Sequence, residues 1–315
     1  MRDNLIERFP NRVVHPSPLR GLVHHGRSAE TAMIKNALSN TQIDLLGNRL
    51  KGGSHTESDL RLLDDYRRSF GAAYEAVVRT LRQRGAVPTG RLAKSTKSIA
   101  EKLRRESIRL SQMQDIAGCR IVVENILDQE KLVASLKADF PEAILIDRRD
   151  NPSHGYRAVH LIAEISGKPI EIQIRSSLQH LWAEVSEKFS DVLDPTIKYG
   201  GGSDSWRERL TKKSQSVAAY EESEKKIAVA VASEEAADAA YKKFENAYAE
   251  LRKHHLPDHE LQEMQKARED LMSKKKLRER THQKLRGDSE RLRKKNTDLL
   301  TEAITWLDRQ KRQKQ

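Results

Sequence analysis

A single cysteine, Cys119, is all the thiol chemistry that this 315-residue chain carries. No intrachain disulfide and no cysteine-rich zinc site can be built from it, and such scarcity fits a reducing cytosol. Aromatic residues amount to only 5%. No stretch approaches the roughly 18 consecutive apolar residues of a membrane span. The first twenty residues are broken by charges and prolines, so they lack the apolar core of a secretory signal. No Gly-x-x-x-x-Gly-Lys-Ser/Thr segment occurs either, so a P-loop is not the phosphate site. These absences together lead us to expect a cytoplasmic protein without a membrane segment.

Charge, by contrast, is abundant. There are 58 Lys+Arg against 46 Asp+Glu, a net +12, and charged residues reach 33% while the apolar set stops at 37%. So wet a composition predicts one real core plus extended, solvated helix, and the basic surplus points to a polyanionic partner. The surplus is split. Residues 204–315 carry 27 basic and 21 acidic side chains and the remainder carries 31 and 25, so each part holds +6. Within the tail, residues 258–315 hold 17 basic and 11 acidic residues, with clusters at Lys274-Lys275-Lys276 and at Arg291, Arg293, Lys294 and Lys295. Such clusters can neutralise phosphates or simply form a solvated face. Trp306 is the only aromatic among them, which argues against a base-stacking platform there.

Local patterns divide the chain into 1–55, irregular with one modest helix; 56–203, a mixed α+β segment; and 204–315, a basic helical extension. Leu60, Leu63, Tyr66, Phe70, Tyr74, Val77 and Leu81 recur at helical spacing and predict one helix from Thr56 to Arg84, opened by a Thr56/Asp59 capping box and stopped at Gly85. A basic helix is expected near 97–106. Strands are expected at 119–123, 143–146, 156–165 and 168–174, the last two joined by a Ser166-Gly167 hairpin turn. Helices near 128–139 and 176–190 complete a four- or five-stranded mixed sheet with flanking helices. Beyond Gly200-Gly201-Gly202 two long helices follow, split at His254-His255-Leu256-Pro257 and suited to an antiparallel hairpin.

Two acids stand out by position. Asp115 immediately precedes the first expected strand. Glu171 shares one strand face with Gln173 and Arg175, while Ile170, Ile172 and Ile174 point the other way. Two carboxylates from adjacent strands could hold Mg²⁺, which takes one or two carboxylates plus substrate phosphates. Upstream, Arg91, Lys94, Ser98, Lys102 and Arg105 surround a helix start, with Ser98, Lys102 and Arg105 on one helical face: a plausible triphosphate cradle. In Gly155-Tyr156-Arg157-Ala158-Val159-His160, Tyr156 could stack a nucleobase and His160 could hydrogen-bond a phosphate or ribose.

Taken in order, Lys94…Ser98-Ile99…Lys102-Leu103-Arg104-Arg105, Asp115-Ile116-Ala117-Gly118-Cys119-Arg120, Gly155 to His160 and Glu171-Ile172-Gln173-Ile174-Arg175…Gln179…Trp182-Ala183 closely resemble the RelA/SpoT synthetase domain. The resemblance covers about 85–200. It implies a nucleotidyltransferase-like α+β fold, Mg²⁺, and transfer of pyrophosphate from ATP to the 3′-hydroxyl of GDP or GTP, yielding the bacterial stringent-response alarmone (p)ppGpp. By the same resemblance Asp115 and Glu171 would be the catalytic and metal-binding acids. Arg91, Lys94, Ser98, Lys102, Arg105 and Arg120 would bind ATP. Tyr156, His160, Gln173 and Arg175 would hold the acceptor nucleotide. Arg91 stands three residues before Lys94 where the family has two. The chain has no His-Asp dipeptide, so the hydrolase of the long bifunctional members is not expected, and a short single-function synthetase is. Three rival readings remain: an adenine-nucleotide acceptor, pyrophosphorylation of the 3′ end of tRNA held by the basic tail, or a degenerate nucleotide sensor whose helices dock a protein partner. Whether the chain forms a homo-oligomer stays open.

Overall fold

Isoleucines at strand period mark the centre of the molecule. In the computed structural model, which describes residues 38–254 and 257–313, Ile170, Ile172 and Ile174 are all fully buried. They belong to the central strand of a five-stranded sheet. In chain order the strands are β1 Thr89–Arg91, β2 Ala117–Val123, β3 Ile144–Asp147, β4 Val159–Ile165 and β5 Lys168–Ser176. Across the sheet they run β1-β2-β5-β4-β3, with β2 and β5 parallel and the other neighbours antiparallel. The mixed sheet agrees with expectation. Strand β1 was not expected, because three residues reading Thr-Gly-Arg carry no periodicity. The β4–β5 hairpin turns at Ser166 and Gly167, both with positive φ (51° and 72°), as the tight hairpin turn requires. Strand β4 starts three residues later than its pattern suggests, since the Tyr156 N–H instead closes a turn onto the Ser153 carbonyl at 2.9 Å.

Helices α1 Asn40–Gly52, α2 Glu57–Arg68, α3 Gly71–Gln83, α4 Thr96–Arg105 and α5 Ile126–Asp139 accompany the sheet. Leu46, Leu63, Phe70, Leu81, Ile99 and Leu136 close with Ile121, Leu161 and Ile172 into one core. The expected single helix over 56–84 is two. The Ser69 hydroxyl donates to the Tyr66 carbonyl at 2.6 Å, and the Phe70 N–H turns to Arg67 instead at 3.1 Å. The resulting bend lets Tyr66 and Phe70 meet edge to face, centroids 5.2 Å apart. The rest of the expected irregular N-terminal segment, residues 1–37, lies outside the described residues.

Strand β5 runs straight into α6, Ser177–Val192, through a Ser176/Gln179 capping box. Two long helices follow, α7 Asp204–Leu251 and α8 Asp258–Gln313. They are antiparallel: Ser216 bonds Asn296, Ser223 bonds Ser289, Glu234 bonds His282 and Glu245 bonds Arg268. At the rise of an α-helix they are about 70 and 85 Å long. Only the root of this hairpin is buried. Leu210, Val217, Leu300 and Leu307 pack with Leu178, Trp182 and Phe189 of α6 in a second core. Among the described residues, burial in α7 ends at Glu221 and in α8 begins at Ser289. Among them, too, no helix is long and apolar enough to cross a membrane.

Candidate active site

The polar side chains of β5 and its neighbours form one face of the sheet. By register, Gln173 lies between Arg120 of β2 and His160 of β4, and Glu171 lies between Gly118 and Ile162. A β-carbon on Gly118 would stand 2.7 Å from the Glu171 carbonyl oxygen. The bare position therefore permits the close parallel pairing and leaves open space beside the Glu171 carboxylate.

Five side chains on this face close a ring. Arg175 Nη2 donates to the Tyr156 hydroxyl at 3.0 Å and to Gln173 Oε1 at 3.0 Å. The Tyr156 hydroxyl is 2.9 Å from His160 Nε2, and His160 Nδ1 is 2.9 Å from Glu171 Oε1. Gln173 Nε2 donates to Glu171 Oε2 at 2.8 Å. Arginine can only donate, so the tyrosine hydrogen is free for His160 Nε2, and the Nδ1 hydrogen then points to Glu171. Both arms of the ring thus start at Arg175 and converge on the carboxylate. Burial pushes Glu171 up, but the bonds from His160 and Gln173 outweigh it and hold the carboxyl below its usual range.

Asp115 is held by lysines. The Lys94 N–H ties its loop to the Ile116 carbonyl at 2.7 Å. Lys94 Nζ then reaches Asp115 Oδ2 at 2.6 Å, and Lys102 Nζ reaches Oδ1 at 2.9 Å. Burial again pushes the acid up, and the two ammonium groups overcome it, so Asp115 lies below the usual carboxylate range. Two cations hold this one carboxylate, and Lys102 also lies 3.9 Å from Glu106. Arg120 is a third cation here, in a wall shared with Glu171 and Glu187. Its Nε is buried with no hydrogen-bond partner, and burial together with the Arg175 charge lowers its guanidinium pKa. A half-buried guanidinium with an unpaired N–H is able to receive an anion.

Two hollows meet here. One, of about 410 Å³, is walled by Thr89, Gly90, Lys94, Arg120 and Glu187. The other, of about 620 Å³, is walled by Lys102, Arg105, Tyr156, His160 and Arg175. Asp115, Glu171 and Gln173 line both, so the two acids stand at the junction. Ser98 accepts from the Ser95 hydroxyl at 2.8 Å and lines a third hollow, which shares Arg105, Lys198 and Tyr199 with the larger one. Arg91 contributes its backbone to β1, paired with Gly118.

The larger hollow also takes Arg148, His154, Lys198 and Tyr199, none of which the sequence reading selected. His154 has φ 53°, a left-handed conformation uncommon outside glycine. Its ring fills the space where a side chain on Gly200 would be, within 2.4 Å of that missing β-carbon. The Arg105 guanidinium lies 3.7 Å from the centroid of the Tyr199 ring. Tyr199 arrives after α6, by tertiary folding, and only its glycine-rich neighbourhood hinted at a turn.

No cluster of three or more His, Cys, Asp or Glu side chains able to hold a metal exists among the described residues. Asp115 and Glu171 nevertheless supply the hard oxygen donors that Mg²⁺ takes when phosphates and water complete its shell. The residues therefore fit an ion that arrives with a nucleotide rather than one caged by protein alone.

Residues 90–190 match the RelA_SpoT family model, described as a region found in RelA / SpoT proteins. An uncharacterised protein of Mycobacterium tuberculosis, Rv1366, is 39% identical over 111 residues, which span 34% of this chain and 41% of that protein. The probable chloroplastic GTP diphosphokinase RSH2 of Arabidopsis thaliana is 32% identical over 139 residues, 41% of this chain and 19% of that one. The match thus spans about two fifths of the mycobacterial relative and less of the plant one. Among solved structures, small alarmone synthetase 1 from Bacillus subtilis aligns with a TM-score of 0.40 at 27% identity, covering 56% of this chain and 100% of its own.

Proposed function

We propose that the RelA/SpoT region at residues 90–190 transfers a pyrophosphoryl group from ATP to the 3′-hydroxyl of GDP or GTP. One observation carries this reading: two acids, Asp115 and Glu171, stand where a hollow that holds Lys94 and Arg120 opens into one walled by Tyr156 and several cations. A donor triphosphate in the smaller hollow would meet Lys94 and Arg120, and Lys102 lies just across the junction. Those cations, which Asp115 partly occupies, would turn to the phosphate oxygens and neutralise charge as it shifts during transfer. An acceptor base in the larger hollow would stack on Tyr156, with its ribose toward Glu171. Asp115 and Glu171 would hold Mg²⁺, which when bound neutralises phosphate charge.

The acceptor 3′-oxygen forms a new bond to the β-phosphorus of ATP, the bond from that phosphorus to the α-bridging oxygen breaks, and AMP leaves. Glu171, ionised at neutral pH, accepts the hydroxyl hydrogen bond. As a weak base it takes the proton only as the oxygen–phosphorus bond forms. His160 and Gln173 fix its two oxygens, so the hydroxyl is met in one orientation.

The test is incubation of the purified chain with Mg²⁺, γ-labelled ATP and, in parallel, GDP, GTP, ATP or total tRNA. We expect label to move to GDP or GTP, and Asp115→Asn and Glu171→Gln each to slow transfer by about 100-fold or more. Label moving to tRNA or ATP would replace the acceptor. No label above the Asp115→Asn background in any arm would end the proposal.

A further inference from the structure

The root of the helical hairpin carries an aromatic and cationic groove that pyrophosphate transfer does not use. Phe189 of α6, Trp206 of α7 and Trp306 of α8 converge there, with ring centroids 5.1 Å apart for Phe189 and Trp206, 6.5 Å for Phe189 and Trp306, and 6.0 Å for the two indoles. Trp306 looks isolated in the basic segment, and folding supplies its aromatic partners from two other helices. The rings floor a hollow of about 610 Å³. Trp306 stays 41% exposed and the neighbouring Leu299 40%, whereas Trp182 nearby is 3% exposed and its indole N–H is satisfied by the Leu210 carbonyl at 3.1 Å.

The walls are basic. The exposed Arg209 guanidinium lies 5.2 Å from the Trp206 ring centroid and has no carboxylate partner among the described residues. Lys213 donates to the Leu299 carbonyl at 3.1 Å and feels the charge of Glu302 across the hollow. Lys212 is paired with Glu208 at 2.7 Å, and Glu302 is the acid in the wall. Exposed indole and leucine on an otherwise wet helix form the kind of apolar patch that marks binding. An apolar helix would use the rings and leave the cations unpaired. A bare phosphate would use the cations and leave the rings in water. A nucleobase on the indole face with its phosphate against Arg209 and Lys213 uses both.

We propose that this groove binds a nucleobase together with its 5′-phosphate, presented by an unpaired RNA strand or by a free mononucleotide. The proposal is independent of the transfer reaction, since none of these residues lines the two central hollows. Anisotropy of an end-labelled, unstructured RNA hexamer, with unlabelled AMP as competitor, tests it on the full chain. Trp306→Ala is expected to weaken hexamer binding about tenfold, as loss of one stacking partner does, while Trp306→Phe, which keeps a ring, retains most of it. Arg209→Gln is expected to flatten the salt dependence by about one phosphate contact. AMP displacing the hexamer with matching affinity assigns the groove to a free nucleotide. A hexamer that AMP displaces only weakly assigns it to a strand. Hexamer and AMP binding unchanged in both Trp306→Ala and Arg209→Gln would overturn the proposal. So would displacement by ribose 5-phosphate as effective as by AMP, or an acidic aromatic peptide occupying the groove where neither nucleotide probe does. Should Trp306→Ala melt early, Trp306→Phe and the surface change Arg209→Gln decide the matter.

Discussion

Glu171 is ionised because of what its neighbours donate. Its two oxygens are each spoken for, by His160 at 2.9 Å and Gln173 at 2.8 Å, and both donors are oriented by Arg175, one of them through Tyr156. Tyr156 therefore has two separable jobs: its ring faces the larger hollow, and its hydroxyl passes orientation to His160. Tyr156→Phe should lower kcat about tenfold, the cost of one ordering hydrogen bond, with little change in the acceptor KM. Tyr156→Ala should raise that KM as well, because the stacking face goes too. Steady-state kinetics for both variants checks this, and equal effects on KM would deny the hydroxyl its separate role. Much at this scale was legible in the sequence. Alternation placed Glu171, Gln173 and Arg175 on one face, and the Ser166-Gly167 turn fixed the register that sets His160 beside Gln173. The lysine pair on Asp115 was not, since it depends on how the loop before α4 folds back.

Elements are pinned to one another by few, well-made contacts. The capping box that opens α2 can be read from Thr56 and Asp59, but its partner on α1 cannot. Arg49 donates to Asp59 Oδ1 from both Nε, at 3.0 Å, and Nη2, at 2.6 Å, and the Thr56 N–H adds a bond to Oδ2 at 2.9 Å. Led by the Arg49 bonds, these hold the Asp59 carboxyl down to about 2. A carboxylate depressed on folding contributes its full stability above its unfolded pKa of about 4, and loses it as pH falls through the folded value. Asp59→Asn should therefore lower the denaturation midpoint at neutral pH, and the gap to the parent should close between about pH 4 and about pH 2. Urea titrations across that range measure it. A gap that does not change with pH would assign the effect to cap geometry instead of charge. The elements that escaped sequence reading share a cause. Strand β1 is too short for a period, and the α2–α3 break rests on a side-chain bond from Ser69 that helical spacing does not reveal.

The whole molecule turns on where the helical hairpin stops being scaffold. Glu221 of α7 is 4% exposed and takes hydrogen bonds from Arg157 Nε and Nη2 at 3.1 and 2.5 Å and from Gln179 Nε2 at 2.6 Å. Arg157 follows Tyr156 in the chain and also donates to the Arg149 carbonyl at 2.8 Å, so the tail buttresses the Tyr156 side of the site directly. Composition did not show this: a basic tail with its own +6 looked like a separate arm, while its root is core. Farther out the logic reverses. The two helices are joined by half-buried ion pairs such as Lys275–Asp238 at 3.0 Å and Arg268–Glu245 at 2.5 Å, and pairs that solvent still reaches contribute only about 1 kcal/mol or less each. Glu221→Ala leaves the largely buried Arg157 without its carboxylate and should cost about 2–4 kcal/mol, with transfer activity falling alongside. Removing residues 232–281 and closing the hairpin with a short glycine-rich turn should leave both the root and the site intact. Denaturation midpoints and transfer rates for the two variants separate the regions. A shortened chain as unstable as Glu221→Ala would show that the distal hairpin, too, is structural.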